Sequence, residues 1–135
     1  MADQRSAITV KPPSRKSEVG RLGEELAAQA LVAGGLTVLG KNWRGHRGEL
    51  DIVALDGGTL VAVEVKTRSS LYFGAPAAAI TNDKIMRMKR LLCQWIAEHR
   101  NEIPRLKELR LDAVAVVLDY RKGGAPVIEH LKGIY

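Results

Sequence analysis

The spacing of apolar residues changes several times along the chain, and each change predicts a different element. Leu22, Leu26 and Leu31 recur at helical spacing from about Glu18, and Gly34-Gly35 supply a stop typical of helix ends, so we expect a first helix here. Three shorter apolar runs follow, rich in leucine and β-branched residues. They predict strands over residues 36–42, 49–55 and 59–67.

In the second half of the chain, an apolar pattern with helical spacing is again followed by short apolar runs typical of strands. Thr81-Asn82 resembles a helix cap, and the apolar stripe behind it predicts a helix to about His99; its members are Ile85, Met88, Leu92, Trp95 and Ile96. Beyond a charged connector with Pro104, residues 110–118 and 127–130 form two further apolar runs. The order αβββαββ predicts the α/β class, with a mixed central sheet flanked by helices.

Length and composition limit the kinds of protein that fit. The 135 residues, 46% of them hydrophobic, suffice for one domain, which we place at residues 18–135 behind a flexible basic arm at 1–17. No apolar run is long enough to span a membrane and the start does not resemble a signal peptide, so we expect a soluble, cytoplasmic protein without a membrane partner.

Charge and cysteine content narrow the classes further. A net charge of +6 favours a polyanionic partner, and nucleic acid is the partner we expect. The single cysteine, Cys93, excludes an internal disulfide and a structural zinc site, and its place beside the apolar stripe predicts a core thiol.

Asp56-Gly57-Gly58-Thr59 predicts a tight hairpin turn between the second and third strands. If the turn is symmetric, opposed residues sum to 115, which pairs Val53 with Ala62, Asp51 with Glu64 and Glu49 with Lys66. Directly opposed like charges are destabilising, so two adjacent carboxylates should require a compensating cation.

A divalent metal ion would supply that compensation. Sites built from two carboxylates and water suit Mg²⁺ or Mn²⁺, which usually serve phosphate chemistry by polarising a phosphoryl oxygen and activating water. Lys66 lies two residues beyond Glu64 on the same face, where its ammonium could orient the attacking water or stabilise developing charge. The alternatives are that Asp51 and Glu64 form an exposed polar rim and that Lys66 pairs with Glu49.

Five segments carry a resemblance to a known family: GRLGEELAAQAL (20–31), NWRGHRGELDIVA (42–54), LVAVEVKTR (60–68), FGAPAAAITNDK (73–84) and RLDAVAV (110–116). They resemble the YraN-type family of bacterial proteins. That family is usually placed in the restriction-endonuclease-like, PD-(D/E)xK nuclease superfamily, beside archaeal Holliday-junction resolvases. The resemblance therefore implies a restriction-endonuclease-like fold and a metal-dependent endonuclease.

The resemblance also assigns roles to individual residues. Asp51 matches the first aspartate of the motif, and Glu64-Val65-Lys66 match its second acid, spacer and lysine. Glu24 matches a helical glutamate that resolvase-like members add to the metal site, and the Val65 carbonyl is implied as a further ligand. Leu50 departs from the motif, which has proline before the aspartate. Resolvase-like enzymes often use two subunits for paired incisions, so a homodimer is compatible with the resemblance.

Basic residues near the proposed site predict a surface for phosphate groups. Arg44 and Arg47 enter the second strand, and Arg68, Lys84 and Arg87 lie farther along the chain. Each could instead be a solvated surface charge, Glu24 could lie on a solvated helix face, and Glu49 could be either a supporting acid or a partner of Lys66. Two functions follow: an Mg²⁺-dependent or Mn²⁺-dependent endonuclease or junction-processing enzyme acting on nucleic acid, with DNA expected, or a catalytically silent nucleic-acid-binding adaptor.

Overall fold

The computed structural model describes residues 15–69, 80–118 and 125–134. Two long helices and five strands make up most of these ranges. In chain order they are α1 (Arg15–Ala33), β1 (Thr37–Gly45), β2 (Gly48–Asp56), β3 (Thr59–Arg68), α2 (Asn82–Glu98), β4 (Glu108–Val117) and β5 (Val127–Lys132). A short 3-10 helix, Arg100–Glu102, follows α2.

The five strands form one mixed sheet in the order β1-β2-β3-β4-β5. Neighbouring strands are antiparallel except β3 and β4, which are parallel because α2 lies in the connection between them. The structure confirms the predicted mixed α/β class with helices flanking the sheet.

The hairpin of β2 and β3 has the register predicted from its turn. Val53 pairs with Ala62, Leu55 with Leu60, and Gly57 has a φ of 61°, a conformation that glycine adopts without steric cost. The regular pairing of β2 with β3 ends at Ile52 and Val63, one step before Asp51 and Glu64. The predicted side-by-side acids therefore lie just beyond the regular ladder.

Each face of the sheet packs against one helix. On one face, Ala27 and Leu31 of α1 pack in an apolar cluster with Ile52 and Val61. On the other face, Leu91 of α2 packs in a second cluster with Val53 of β2. Because strand side chains alternate between faces, β2 and β3 contribute to both clusters. The central strands are thus fixed from both sides.

α1 approaches β3 closely at Gly23. A Cβ atom built at Gly23 would collide with the side chain of Thr67, whereas one built at Gly20 would meet nothing within 4 Å. A residue with a side chain at position 23 would therefore push the helix away from the sheet. The close approach places Glu24, the next residue, beside the end of β3.

Asp112 of β4, paired with Val63 of β3, is the centre of a buried charged network. Its fully buried carboxylate accepts hydrogen bonds from Arg110 Nε at 2.8 Å, the Gly133 amide at 3.0 Å and His130 Nε2 at 2.7 Å. Arg110 also binds Asp56 at 2.9 Å, which connects β4 to the hairpin turn. The sequence pattern did not reveal this network, since Asp112 stands in an apolar strand.

Most predicted elements are present, with shifts at their ends. α2 has the predicted Thr81 cap, whose side chain accepts a hydrogen bond from the Lys84 amide. α1 begins at Arg15 rather than near Glu18; residues 1–14 of the predicted arm and 73–79 of the FGAPAAAITNDK motif lie outside the described residues. The prediction of a core thiol is wrong, because Cys93 is exposed on the rim of α2.

Candidate metal centre

Asp51 and Glu64 face one cavity between the hairpin and α2. The cavity has a volume of about 220 Å³, and its lining residues are Gly48, Glu49, Asp51, Glu64, Lys84, Arg87, Met88 and Leu91. The two acids lie on the same side of the sheet, as predicted, at the edge of the apolar cluster that contains Val53 and Ala62. The lining thus combines three acids and two cations with the apolar side chains of Met88 and Leu91.

The backbone fixes the Asp51 carboxylate. Its Oδ2 atom accepts a hydrogen bond of 2.9 Å from the Val65 amide, so a side chain of β2 bridges to β3 just beyond the last regular backbone pair. On the other side, the pairs Lys41–Ile52 and Trp43–Leu50 leave Asn42 opposite Asp51. Asn42 has a φ of 53° and interrupts the regular strand conformation there.

Glu64 is buried and already compensated by two ammonium groups. Only 6% of the residue is exposed, and its Oε2 atom lies 2.7 Å from Lys84 Nζ and 3.4 Å from Lys66 Nζ. The alternative of an exposed rim therefore does not fit Glu64. The alternative pairing of Lys66 with Glu49 is not formed either, since the ion pair found for Glu49 is with Arg44 at 3.9 Å.

Crowding of negative charge is strongest at Asp51. Burial, together with the charge of Glu64, raises the pKa of Asp51 to about 7, and the hydrogen bond from Val65 only partly opposes the shift. The charges of Glu24 and Glu49 raise this pKa further, which places both of them within electrostatic reach. A bound cation would relieve this repulsion, so the electrostatics suit a metal ion.

The donor set fits a hard divalent cation with few protein ligands. No group of three or more His, Cys, Asp or Glu side chains in residues 15–69, 80–118 and 125–134 is arranged to hold a metal ion. Mg²⁺ commonly binds through one or two carboxylates and keeps several waters, so Asp51 and Glu64 are sufficient in number. Glu24 as a direct ligand and the Val65 carbonyl as a ligand stay predictions.

The turn between β1 and β2 is held against α2 at the mouth of the cavity. Arg90 donates hydrogen bonds to the carbonyl oxygens of His46 at 2.7 Å and Arg47 at 3.3 Å, and Gln94 accepts one from the His46 amide at 2.9 Å. Sequence analysis missed this anchor because it joins side chains to backbone atoms more than 40 positions away. The turn is therefore a fixed platform for its exposed arginines.

The predicted phosphate-binding residues have different surroundings. Arg44 and Arg47 are exposed on the turn, and Arg87 lines the cavity. Arg68, at the end of β3, donates to the Thr67 carbonyl at 3.3 Å, and its buried Nε has no hydrogen-bond partner. Lys84 points at Glu64 rather than at solvent. The structure thus brings four of the five, all except Arg68, to the cavity or its rim.

In fold and site, the chain is a mixed α/β protein with a carboxylate–lysine cluster at one end of its sheet. A family model described as "Uncharacterised protein family UPF0102" matches residues 23–116, and the chain belongs to this family. A UPF0102 protein of Beutenbergia cavernae is 49% identical over 119 residues, which cover 88% of this chain and 97% of that protein. One of Streptomyces coelicolor is 48% identical over 120 residues, covering 88% and 89%. The predicted YraN-type family is confirmed.

The matched range contains the site. Residues 23–116 include Glu24, Asp51, Glu64, Lys66 and Lys84. Among the helices of the described ranges, none is long and apolar enough to cross a membrane.

Proposed function

We propose that the protein is a metal-dependent nuclease of the restriction-endonuclease-like class that hydrolyses phosphodiester bonds in nucleic acid, DNA being the expected substrate. One observation carries the proposal: a buried acid, Glu64, and a second acid with a raised pKa, Asp51, share a cavity, and Lys66 Nζ lies 3.4 Å from Glu64. Structural acids are usually paired with enough cations to keep them ionised. Perturbed acids in a cavity are instead typical of functional sites.

Each residue of the site has a distinct task in this proposal. Asp51 and Glu64 would hold Mg²⁺ or Mn²⁺, which supplies Lewis-acid polarisation of the phosphate and acidification of a bound water. The Val65 amide orients Asp51. Lys66 would place its ammonium beside the reacting phosphate, and Glu24 and Glu49 would contribute negative charge that strengthens cation binding.

The fixed β1–β2 turn supports a nucleic-acid partner. Its exposed arginines, Arg44 and Arg47, lie at the mouth of a cavity that also contains Arg87, so a phosphate backbone crossing the mouth would meet cations on two elements. Such contacts release counterions, and affinity should then fall steeply with salt. Equal DNA binding at low and high salt would contradict a role for this surface.

Metal titration followed by cleavage assays tests the proposal. We expect Mn²⁺ to give saturable heat with the native protein and none with Asp51→Ala, and Asp83→Ala, which removes an exposed acid from α2, serves as the matched control. Assays on duplex, branched and single-stranded DNA then measure cleavage. Absence of both metal binding and cleavage in the native protein would refute the nuclease.

A silent nucleic-acid-binding adaptor is the second candidate. It is favoured by the two ammonium groups that already compensate Glu64 without a metal ion. DNA binding that is sensitive to salt but indifferent to Mn²⁺, without cleavage, would support the adaptor. A cytoplasmic location and a homodimer belong to the nuclease proposal and are tested by fractionation and sedimentation.

A further inference from the structure

The ammonium group of Lys84 lies beside Glu64 where a metal ion bound to that carboxylate would lie. Lys84 Nζ lies 2.7 Å from Glu64 Oε2, the same oxygen that Lys66 approaches at 3.4 Å. One oxygen therefore receives two ammonium groups while it faces the cavity shared with Asp51. A divalent cation bound to this oxygen would compete with the closer ammonium for the same lone pairs.

The ion pair with Glu64, rather than the helix environment, stabilises the charged side chain of Lys84 at its position. Lys84 lies in the first turn of α2, where the unpaired backbone N–H groups favour acidic side chains over basic ones. Its amide is already bonded to the Thr81 cap, so its side chain is free to swing without disturbing the backbone. The flexible lysine stem can deliver its charge to more than one acceptor.

We propose that Lys84 is an exchangeable counter-ion, which neutralises Glu64 in the metal-free protein and is displaced by the metal ion to bind a phosphate of the nucleic acid. The inference rests on the metal site of the proposed function, but not on turnover. The two positions of Lys84 couple the two ligands: metal binding releases a phosphate-binding group, and phosphate binding removes a competitor of the metal. Such coupling is reciprocal, and each ligand should tighten the other.

Lys66 is not equivalent in this respect. It is farther from the shared oxygen and belongs to β3, whose backbone is paired at this position with Ala115 of β4. Lys84 lies in the first turn of α2, makes the closer contact with Glu64 and itself lines the cavity. The exchange is therefore assigned to Lys84.

The first test is Mn²⁺ titration of the full chain without nucleic acid. We expect Lys84→Met, which keeps an apolar stem and good helix propensity, to bind Mn²⁺ about 5- to 10-fold more tightly than the native protein, at the lower end of ordinary coupling. Lys41→Met is the matched control, because Lys41 forms a strand-to-helix ion pair with Glu25 at 3.5 Å outside the cavity. Its Mn²⁺ affinity should be unchanged.

The Lys84→Met variant removes a charge whether or not Lys84 moves in the native protein. Amine labelling of the native protein, measured by mass spectrometry, tests directly whether Mn²⁺ displaces Lys84 from Glu64. In the native protein, saturating Mn²⁺ should increase the labelling rate of Lys84 several-fold and leave that of Lys41 unchanged. The role of Lys84 in phosphate binding is tested by measuring the affinity for duplex DNA with and without Ca²⁺. Without Ca²⁺, Lys84→Met should bind DNA as the native protein does; with Ca²⁺, it should bind DNA several-fold more weakly.

The outcomes distinguish this inference from the proposed function. If native protein and Lys84→Met bind Mn²⁺ equally, or if Lys84 stays protected at saturating Mn²⁺, the exchange is refuted and the metal site stands. If neither protein binds Mn²⁺, both are refuted. Metal binding with the expected labelling change, but without cleavage of any substrate, would refute the nuclease and support the exchange.

Discussion

The substitution Asp51→Asn should stabilise the metal-free protein at alkaline pH. The folded state raises the pKa of Asp51 from an ordinary value of 3.8 to about 7, through burial first and the charge of Glu64 second. The folded protein therefore pays for ionising this carboxylate, whereas the unfolded chain does not. Asparagine is nearly isosteric, carries no charge and can still accept the hydrogen bond from the Val65 amide.

The sign follows from proton linkage. A carboxylate whose pKa is higher in the folded state contributes stability that is fully present below pH 3.8 and is lost as pH rises through about 7. The complete shift corresponds to about 4 kcal/mol. The stability advantage of Asp51→Asn should accordingly be small near pH 4 and increase by about 2–4 kcal/mol up to pH 8.

Urea unfolding in EDTA at several pH values between 4 and 8 measures this difference. Asp56→Asn is the matched control with the opposite sign, because the hydrogen bond from Arg110 lowers the pKa of Asp56. That variant should be less stable than the native protein by an amount that is constant between pH 5 and 8. A pH-independent effect of Asp51→Asn, or a loss of stability at pH 8, would refute the repulsion described for Asp51.

Metal should offset much of the stability difference between the two proteins in the same experiment. With Mn²⁺ at 100 times its dissociation constant, a protein that binds only when folded gains about 2.7 kcal/mol. The native protein should gain this amount at pH 8, and Asp51→Asn should gain little. Equal stabilisation of both proteins would place the cation elsewhere.

Three further substitutions test other parts of the structure. Gly23→Ala should lower the free energy of unfolding by about 1–3 kcal/mol through its clash with Thr67, whereas Gly20→Ala, in the same helix but in open space, should raise it by about 0.5–1 kcal/mol; a gain for both would contradict the close approach. Asp112→Asn should cost about 3 kcal/mol in urea unfolding, since it leaves Arg110 without its buried partner, and a cost below 1 kcal/mol would show the network to be dispensable. Lys66→Ala should keep Mn²⁺ and DNA binding while losing cleavage in single-turnover assays, and lost Mn²⁺ binding would instead make it a structural residue.

Local patterns predicted the hairpin well because its register depends on neighbouring residues. Two glycines at the turn fix which positions oppose each other, and period-two alternation then sets the faces. From these facts alone, Asp51 and Glu64 were placed on one face. The apolar stripe of α2 was predicted for the same reason, since Met88, Leu92 and Trp95 repeat at helical steps.

Contacts between distant elements were not predictable in this way. Lys84 was expected to meet phosphate because it opens a helix, but its contact with Glu64 depends on how α2 packs across β2 and β3. The hydrogen bonds from Arg90 to backbone carbonyls of the β1–β2 turn depend on the same packing of α2. Cys93 was expected in the core because it adjoins the apolar stripe, but the buried positions of the helix leave it on the rim.

The unfavourable acids lie where the fold can best tolerate them. The hairpin residues next to them, Ile52 and Val63, are fully buried and packed against α1, so the backbone that carries Asp51 and Glu64 is fixed by contacts on the opposite face of the sheet. A repulsion of a few kcal/mol can then persist without separating the strands. Metal binding would remove the same repulsion. The free energy that the repulsion costs the metal-free protein would therefore contribute to the affinity for the cation. A merely structural acid pair has no such compensation, and the gain in stability that Mn²⁺ gives the native protein at pH 8 distinguishes the two cases.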